Sequence, residues 1–75
     1  MKITLVAGNG LDALYVDGNL THTENSIYIT EGLEMIRIKY GLPFTIASIE
    51  FLDVDEEWLD EVGEYPQELK DAKLL

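Results

Sequence analysis

The chain has no cysteine and only one histidine, two prolines and five lysines and arginines among its 75 residues. Without cysteine it forms no disulfide and has no thiolate for catalysis or for binding soft metals. The five basic residues stand against 15 aspartates and glutamates, so the formal net charge is −10. A charge of this sign argues against direct binding to nucleic-acid phosphates or to anionic lipid.

Long apolar runs are also missing. No stretch approaches the roughly 18 apolar residues of a membrane-spanning helix, and residues 1–7 are too short and too polar for the apolar region of a secretion signal. Apolar residues nevertheless make up 47% of the chain, which is enough for one thin core. We therefore expect a single cytoplasmic domain over residues 1–75, stabilised by packing, by self-association or by a partner.

The N-terminal part predicts three β-strands. Residues 2–7 alternate in the manner of a strand, and Gly8-Asn9-Gly10 ends it. Residues 13–16 and 19–23 flank Asp17-Gly18, a dipeptide typical of a two-residue type I′ hairpin turn. A turn of that length predicts three cross-strand pairs: Val16 with Asn19, Tyr15 with Leu20, and Ala13 with His22.

Residues 31–40 are predicted to form the main helix. Thr30 is its expected N-cap, and Gly41 is suited to the position that follows its last residue. The apolar side chains recur at helical spacing and form one stripe that would face the sheet: Ile29, Leu33, Ile36 and Tyr40.

Residues 44–54 predict a fourth strand, in which the alternation slips near Ala47-Ser48. A β-bulge would explain the slip, and so would burial of both faces in a central strand. Asp55 is then the expected N-cap of a short second helix that ends at Gly63. Its inward side chains would be Trp58, Leu59 and Val62.

After this helix, Pro66 would open a last turn through Leu69, and residues 71–75 are expected to fray unless Leu74 and Leu75 dock. The predicted fold class is α+β, with elements in the order β-β-β-α-β-α. The economical architecture is a small antiparallel sheet of about four strands, one main helix packed on it and a short C-terminal acidic helix.

The negative charge is concentrated towards the C-terminus. The segment from Glu50 to Glu68 holds nine acids and no base. It would form either a face that docks a basic protein surface or a solvated face that keeps a small protein soluble. Tyr65 is expected to be partly exposed beside this face, and Trp58 to cover the core behind it. The predicted partner-binding residues are Glu50, Asp53, Asp55, Glu56, Glu57, Asp60, Glu61, Glu64, Tyr65 and Glu68.

One stretch of this segment has the spacing of a calcium-binding loop. Asp53, Asp55 and Glu57 match its first acidic positions, but Trp58 stands where the loop needs glycine for its sharp turn. The same residues suit a capped amphipathic helix, which would point the carboxylates apart. We therefore predict no metal site.

Two further patterns are weak signs of catalysis or cofactor binding. Gly8-x-Gly10-x-x-Ala13 loosely matches a dinucleotide fingerprint, yet the turn at Asp17-Gly18 leaves no room for the helix that the fingerprint requires. His22 is the only imidazole, and a histidine paired with a neighbour on the sheet surface is the simpler interpretation. We predict a protein without catalytic residues and without a cofactor.

Residues 14–20, followed by Glu56-Glu57-Trp58-Leu59 and Tyr65-Pro66-x-x-Leu69, resemble small acidic proteins of bacteria and their phages, to which no activity is attached. The resemblance spans most of the chain and implies a bacterial or phage cytoplasmic setting. Size and charge are also similar to those of small phage inhibitors that mimic DNA. We expect a non-enzymatic interaction module whose partner is a basic protein surface, such as that of a nucleic-acid-binding protein. The alternative is a small structural or ligand-binding protein that self-associates as a homodimer through its N-terminal half.

Overall fold

The computed structural model describes residues 1–41, residue 46 and residues 48–75. Its elements follow the predicted order β-β-β-α-β-α and confirm the α+β class. They are β1 (Lys2–Ala7), β2 (Asp12–Val16), β3 (Asn19–Glu24), α1 (Ile29–Tyr40), β4 (Ser48–Asp53), α2 (Glu56–Val62) and a short 3₁₀ turn (Leu69–Asp71). No helix within these residues has the length and apolar character needed to cross a membrane.

The four strands form one sheet in the order β3-β2-β1-β4. Strands β1, β2 and β3 are antiparallel neighbours, whereas β4 runs parallel to β1. The expectation of a wholly antiparallel sheet is therefore wrong for β4. The connection from β3 to β4 contains α1, and a helical crossover of this kind returns the chain to the end of the sheet where β3 began. Strand β4 therefore runs parallel to β3, and hence to β1.

Strand β4 lies at an edge of the sheet, so the interpretation as a central strand buried on both faces is wrong. Its register with β1 is regular from Ser48 to Asp53. The alternative, a bulge near Ala47-Ser48, falls on Ala47, which lies outside the described residues.

The β2–β3 hairpin confirms the predicted turn. Asp17 and Gly18 both have positive φ, 50° and 79°, as a type I′ turn requires. Val16 pairs with Asn19 and Tyr15 with Leu20, but the register then shifts by one residue, so that Leu14 faces His22 and Ala13 faces Thr23. The predicted pairing of Ala13 with His22 is wrong because of this bulge, which a count from the turn does not reveal.

Both faces of the sheet are covered, and each has its own core. One face packs Ile3, Leu5, Leu14 and Val16 of β1 and β2 against Ile27 and against Ile36 of α1. The opposite face packs Val6, Ala13 and Tyr15 against Val54, Leu59 of α2 and Tyr65. This two-sided cover explains why Thr4, in the middle of β1, is only 1% exposed.

Helix α1 begins earlier than expected and buries less of its stripe. Tyr28 occupies the N-cap position in an extended conformation without a side-chain hydrogen bond, so Thr30 is not the N-cap. Ile36 is fully buried, while Tyr40 is 48% exposed, with Lys39 Nζ 5.7 Å from its ring centre. The predicted end is confirmed, since Gly41 has a φ of 76° and its N–H donates to the Arg37 carbonyl.

The C-terminal segment is docked, so the expectation that it frays is wrong. The alternative of docking holds for Leu74, whereas the Leu75 side chain is 86% exposed. The Leu20 N–H donates to the Gln67 carbonyl, and the Leu69 N–H donates to the Gly18 carbonyl, at the start of β3. Further on, Leu74 forms a bridge with Val54. The turn predicted from Pro66 to Leu69 is displaced, because Glu68 is extended and forms a bridge with Asn19, and the 3₁₀ turn begins only at Leu69.

Candidate interaction surface

Helix α2 starts and ends at local signals. The Asp55 carboxylate accepts the Trp58 N–H at 3.1 Å, which satisfies one of the free donors of the first turn. This hydrogen bond is the main reason why the pKa of Asp55 lies below its ordinary value, and the nearby Lys73 ammonium lowers it further. Gly63, with a φ of 81°, donates its N–H to the Leu59 carbonyl. The predicted cap, span and stop of the helix are confirmed.

Only part of the expected inward face of α2 is buried. Leu59 is 6% exposed, as predicted, and belongs to the same core as Val54; Trp58 is half-buried against that core. Val62 is 49% exposed, so its expected inward orientation is wrong. Helix α2 has only two turns and contacts the core through Leu59. Val62, three positions further along the helix, therefore lies at the margin of this contact.

Tyr65 is a core residue rather than a surface contact. It is 3% exposed, and its hydroxyl donates to the Leu11 carbonyl at 2.7 Å. The expectation that it is partly exposed is therefore wrong, because the aromatic ring fills the space between α2 and the sheet. Desolvation is the main cause that raises its pKa to about 12, and the charge of Asp12 and the proximity of Tyr15 act in the same direction.

The acidic face, meaning the nine acids between Glu50 and Glu68, comes from four parts of the fold. Glu50 and Asp53 are on β4, Asp55 caps α2, four acids are on α2 itself, and two follow it. Seven of the nine side chains belong to exposed residues. These are Asp53, Glu56, Glu57, Asp60, Glu61, Glu64 and Glu68.

Three lysines pair with acids of this face and leave the others uncompensated. Lys2 Nζ lies 3.5 Å from Glu50, Lys70 Nζ 3.1 Å from Glu68, and Lys73 Nζ 3.5 Å from Asp55. The two other basic side chains lie on α1, where Arg37 pairs with Glu34 and Lys39 lies over Tyr40. In the described part of the chain, six acids of the face have no basic side chain within ion-pair distance. They are Asp53, Glu56, Glu57, Asp60, Glu61 and Glu64.

This charge distribution is unfavourable for α2 taken alone. Glu56 and Asp60, and likewise Glu57 and Glu61, are like charges four residues apart, and each such pair destabilises a helix by a few tenths of a kcal/mol. The helix dipole favours acids in the first turn but opposes them in the last, where α2 has no basic residue. The unpaired carboxylates therefore make the electrostatic potential of this face more negative without stabilising the helix that carries most of them.

The weaker sequence patterns are structural elements in the fold. Asp55 is occupied by its capping hydrogen bond and Glu57 lies within α2, so the calcium-like spacing does not form a loop. Among residues 1–41, 46 and 48–75, no three His, Asp or Glu side chains form a group that could hold a metal ion. Gly8 and Gly10 form the link between β1 and β2, and His22 Nε2 lies 3.6 Å from a Glu24 carboxylate oxygen.

A second surface, which the sequence did not indicate, lies along β4. Phe51 is 66% exposed and Ile49 is 41% exposed. They pair with Leu5 and Ile3 of β1, which places them on the same face of the sheet as α1. The α1 core covers β1 and β2 but does not include these two side chains. The sequence predicts the strand itself, but its apolar pattern does not show that Ile49 and Phe51 are exposed. That follows only from the position of β4 at the edge of the sheet.

A cavity of about 340 Å³ lies beside this strand. It is formed where the carboxyl ends of β1 and β4 meet the residues that lead into α1, with Leu5, Ile27, Tyr28 and Phe51 among its apolar walls and Asp12 and Asp53 among its polar ones. The Asp12 carboxylate accepts the N–H groups of Gly8 at 3.2 Å and Ile27 at 3.0 Å. It is thereby held in place at the edge of the cavity.

Comparison with protein-family models, with curated proteins and with solved structures finds no match to this chain. The two surfaces of the protein that bear on its function are the acidic face and the open side of β4.

Proposed function

We propose that this protein is a non-enzymatic interaction module whose acidic face docks against a basic surface of a partner protein. The observation that carries the proposal is the group of six exposed carboxylates without a basic neighbour in the described residues. Complementary charge steers association and raises its rate. A partner with a positively charged surface would supply the counter-charges that these carboxylates lack within the chain.

The proposal extends to a class of partner. Carboxylates spaced along a short helix present negative charge in a row, as the phosphates of a nucleic acid do. A nucleic-acid-binding protein of a bacterial or phage cytoplasm would be blocked by such a surface through occupancy of its binding site. The protein would thus act as an inhibitor that mimics nucleic acid and would not bind nucleic acid itself.

The test compares two variants with equal net charge. In the first, three acids of α2 are neutralised: Glu57→Gln, Asp60→Asn and Glu61→Gln. In the matched control, three acids of β3 and α1 are neutralised: Glu24→Gln, Glu31→Gln and Glu34→Gln. Each protein is immobilised, a nuclease-treated bacterial lysate is passed over it, and retained proteins are eluted with rising salt and identified.

We expect the wild-type protein and the control to retain the same partner, and the α2 variant to lose it. Retention should fall steeply with ionic strength, and added duplex DNA should release the partner if the mimicry is correct. Equal retention by all three proteins would contradict the proposal, as would equal loss from both variants, because net charge and not the face would then determine binding.

A second candidate function rests on the exposed apolar side chains of β4. Ile49 and Phe51 would be covered if two copies of the chain associated through this edge, in place of the N-terminal half expected from the sequence. The protein would then be a self-associating structural or ligand-binding module. The net charge of −10 opposes close approach of two copies. Sedimentation at micromolar concentration decides, and a monomer without a ligand-induced thermal shift would exclude this candidate.

A further inference from the structure

The two edges of the sheet are not equally accessible. At the start of β3, the Gly18 carbonyl and the Leu20 N–H are bonded to residues 67–69. At the end of β4, the Leu75 N–H donates to the Asp53 carbonyl at 2.9 Å, and the Asp55 N–H donates to the Lys73 carbonyl at 2.8 Å. The C-terminal segment therefore covers part of each edge strand and leaves the first residues of β4 outside its contacts.

The direction of the backbone groups along β4 follows from its last bond with β1. The Val54 N–H donates to the Ala7 carbonyl at 3.0 Å, and successive residues of a strand direct their N–H and C=O groups to opposite sides. The N–H and C=O groups of Ile49 and Phe51 consequently point away from β1. Within residues 1–41, 46 and 48–75, they have no backbone partner across the open edge.

The same two residues expose their side chains on the α1 face. A segment that paired with the outward groups of Ile49 and Phe51 would therefore place alternate side chains against exposed apolar surface. The accessible stretch, Ser48 to Leu52, is about 17 Å long at 3.3 Å per residue. This length is enough for a strand of ordinary dimensions.

Charge limits what such a segment would carry. Asp12 and Asp53 line the cavity together with Phe51 and with Tyr28, which is 66% exposed. A lysine or arginine side chain suits this cavity, because its stem packs on apolar walls while its charged head meets carboxylates and aromatic faces. An acidic segment would be repelled by the unpaired acids of the acidic face.

We infer that the open edge of β4 binds an extended segment of the basic partner protein by strand addition, with apolar side chains on Ile49 and Phe51 and a basic side chain in the cavity beside Asp53. This inference rests on the proposed function, since it assumes a basic partner and specifies how the partner docks. It predicts main-chain hydrogen bonds at β4 in addition to attraction by α2.

The test uses three synthetic heptapeptides as probes with the full-length chain. The first, the alternating lysine peptide, is Lys-Thr-Val-Thr-Val-Thr-Lys, which places its valines and lysines on one face of a strand. The second has the same composition in block order, and the third has glutamate in place of lysine. Binding is followed by backbone amide shifts in NMR spectra and by hydrogen exchange. We expect only the alternating lysine peptide to shift the amides of Ile49 and Phe51 and to slow their exchange.

Two variants test the edge, and a third is the control. Phe51→Pro removes an outward N–H without removing a bond to β1, which an edge strand tolerates, and Phe51→Ala removes the apolar contact without changing the backbone. Both should weaken binding of the alternating lysine peptide about tenfold, as expected for a central interface side chain. Ile38→Ala, at a residue of α1 that is 73% exposed, should leave the affinity unchanged.

The outcomes distinguish this inference from the proposed function. Equal binding of the two lysine peptides, with shifts at Glu57 and Glu61 but not at β4, would overturn strand addition and leave docking by the acidic face intact. Absence of binding of the alternating lysine peptide would also overturn it, while the lysate experiment judges the proposed function independently. Shifts at Ile49 and Phe51 that depend on protein concentration alone, together with a dimer in sedimentation, would assign the edge to a second copy and overturn the inference.

Discussion

The two buried tyrosines predict a loss of stability at alkaline pH. Tyr15 has no exposed surface and Tyr65 is 3% exposed, and each hydroxyl donates a hydrogen bond of 2.7 Å, to the carbonyls of Pro66 and Leu11. Burial raises the pKa of both side chains from 10.0 to about 12. A phenolate at either position would lose its hydration and the hydrogen bond that the hydroxyl donates.

The sign and size of the effect follow from linkage. Because the folded pKa lies above the unfolded value, the stabilisation is fully present below pH 10 and is lost as pH rises towards 12. At about pH 11, ionisation of each tyrosine in the unfolded chain lowers the free energy of unfolding by roughly 1.4 kcal/mol, and by about 3 kcal/mol for the two together. A domain of this length has a total stability on the order of 5 kcal/mol, so about half would be lost.

Urea unfolding measured near pH 9 and again near pH 11, with Trp58 fluorescence as the signal, tests this reasoning. Tyr15→Phe and Tyr65→Phe should each cost about 1 kcal/mol near pH 9, because a carbonyl is left without its donor, but should lose less stability than the wild type between the two pH values. Tyr28→Phe, at a residue that is 66% exposed, controls for the chemistry of the substitution. If the two buried-site variants lost as much stability as the wild type over this range, the reasoning would be refuted.

Substitutions at three further positions test the packing of the fold, the charge on α2 and its N-cap. Gly8→Ala should destabilise the protein by about 3 kcal/mol in urea unfolding, because the new Cβ would lie 2.4 Å from the Leu11 carbonyl oxygen and 2.7 Å from the Tyr65 hydroxyl. Glu61→Lys should stabilise it by about 1 kcal/mol at low salt, since it replaces a repulsion with Glu57 by an attraction and suits the end of the helix dipole. Asp55→Ala should lower the urea midpoint, whereas Asp55→Asn should keep the capping hydrogen bond. Because the pKa of Asp55 is lower in the folded state than in the unfolded chain, the carboxylate charge stabilises the fold at pH values above the unfolded pKa. This stabilisation is lost as pH falls below about 4.

The controls for these substitutions lie in the same chain. Gly10→Ala meets no atom within 4 Å but requires a φ of 87°, so it should cost only about 1 kcal/mol of backbone strain. A Gly8 variant no less stable than the Gly10 variant would show that the close approach is absent. Addition of salt should reduce the gain from Glu61→Lys, and a gain that persists at high salt would have another origin. Equal midpoints for the two Asp55 variants would show that the capping hydrogen bond contributes nothing.

Features that depend on neighbouring residues could be predicted from the sequence. The hairpin turn follows from Asp17-Gly18, because few residues adopt positive φ at both central positions. The span of α2 follows from Asp55 and Gly63, which satisfy the free groups at its two ends. The concentration of acids between Glu50 and Glu68 is itself a property of the sequence, although the sequence does not show which of them pair with lysines far along the chain.

Features that depend on distant residues were predicted less well. Tyr65 and the residues near Leu74 carry no local signal for burial, and their positions follow from contacts with Leu11 and Val54. The shift of register near His22 is of the same kind, because pairing beyond a turn depends on which side chains the sheet can bury. Val62 and Tyr40 show the converse, since a helical apolar pattern indicates which residues could be buried but not how much surface is available to cover them.

By itself, the sequence determined the order of the elements, the hairpin turn at Asp17-Gly18, the cap and stop of α2, and a charge of one sign gathered in one segment. Each of these depends on side-chain chemistry within a few residues. Only the tertiary structure decided that β4 runs parallel to β1 at an open edge, that both faces of the sheet are covered, and that six carboxylates lack a basic neighbour in the described residues. These properties arise when segments distant in sequence compete for the same apolar surface, hydrogen bonds and counter-charges. The acidic face and the exposed side of β4 are the surfaces that remain after that competition.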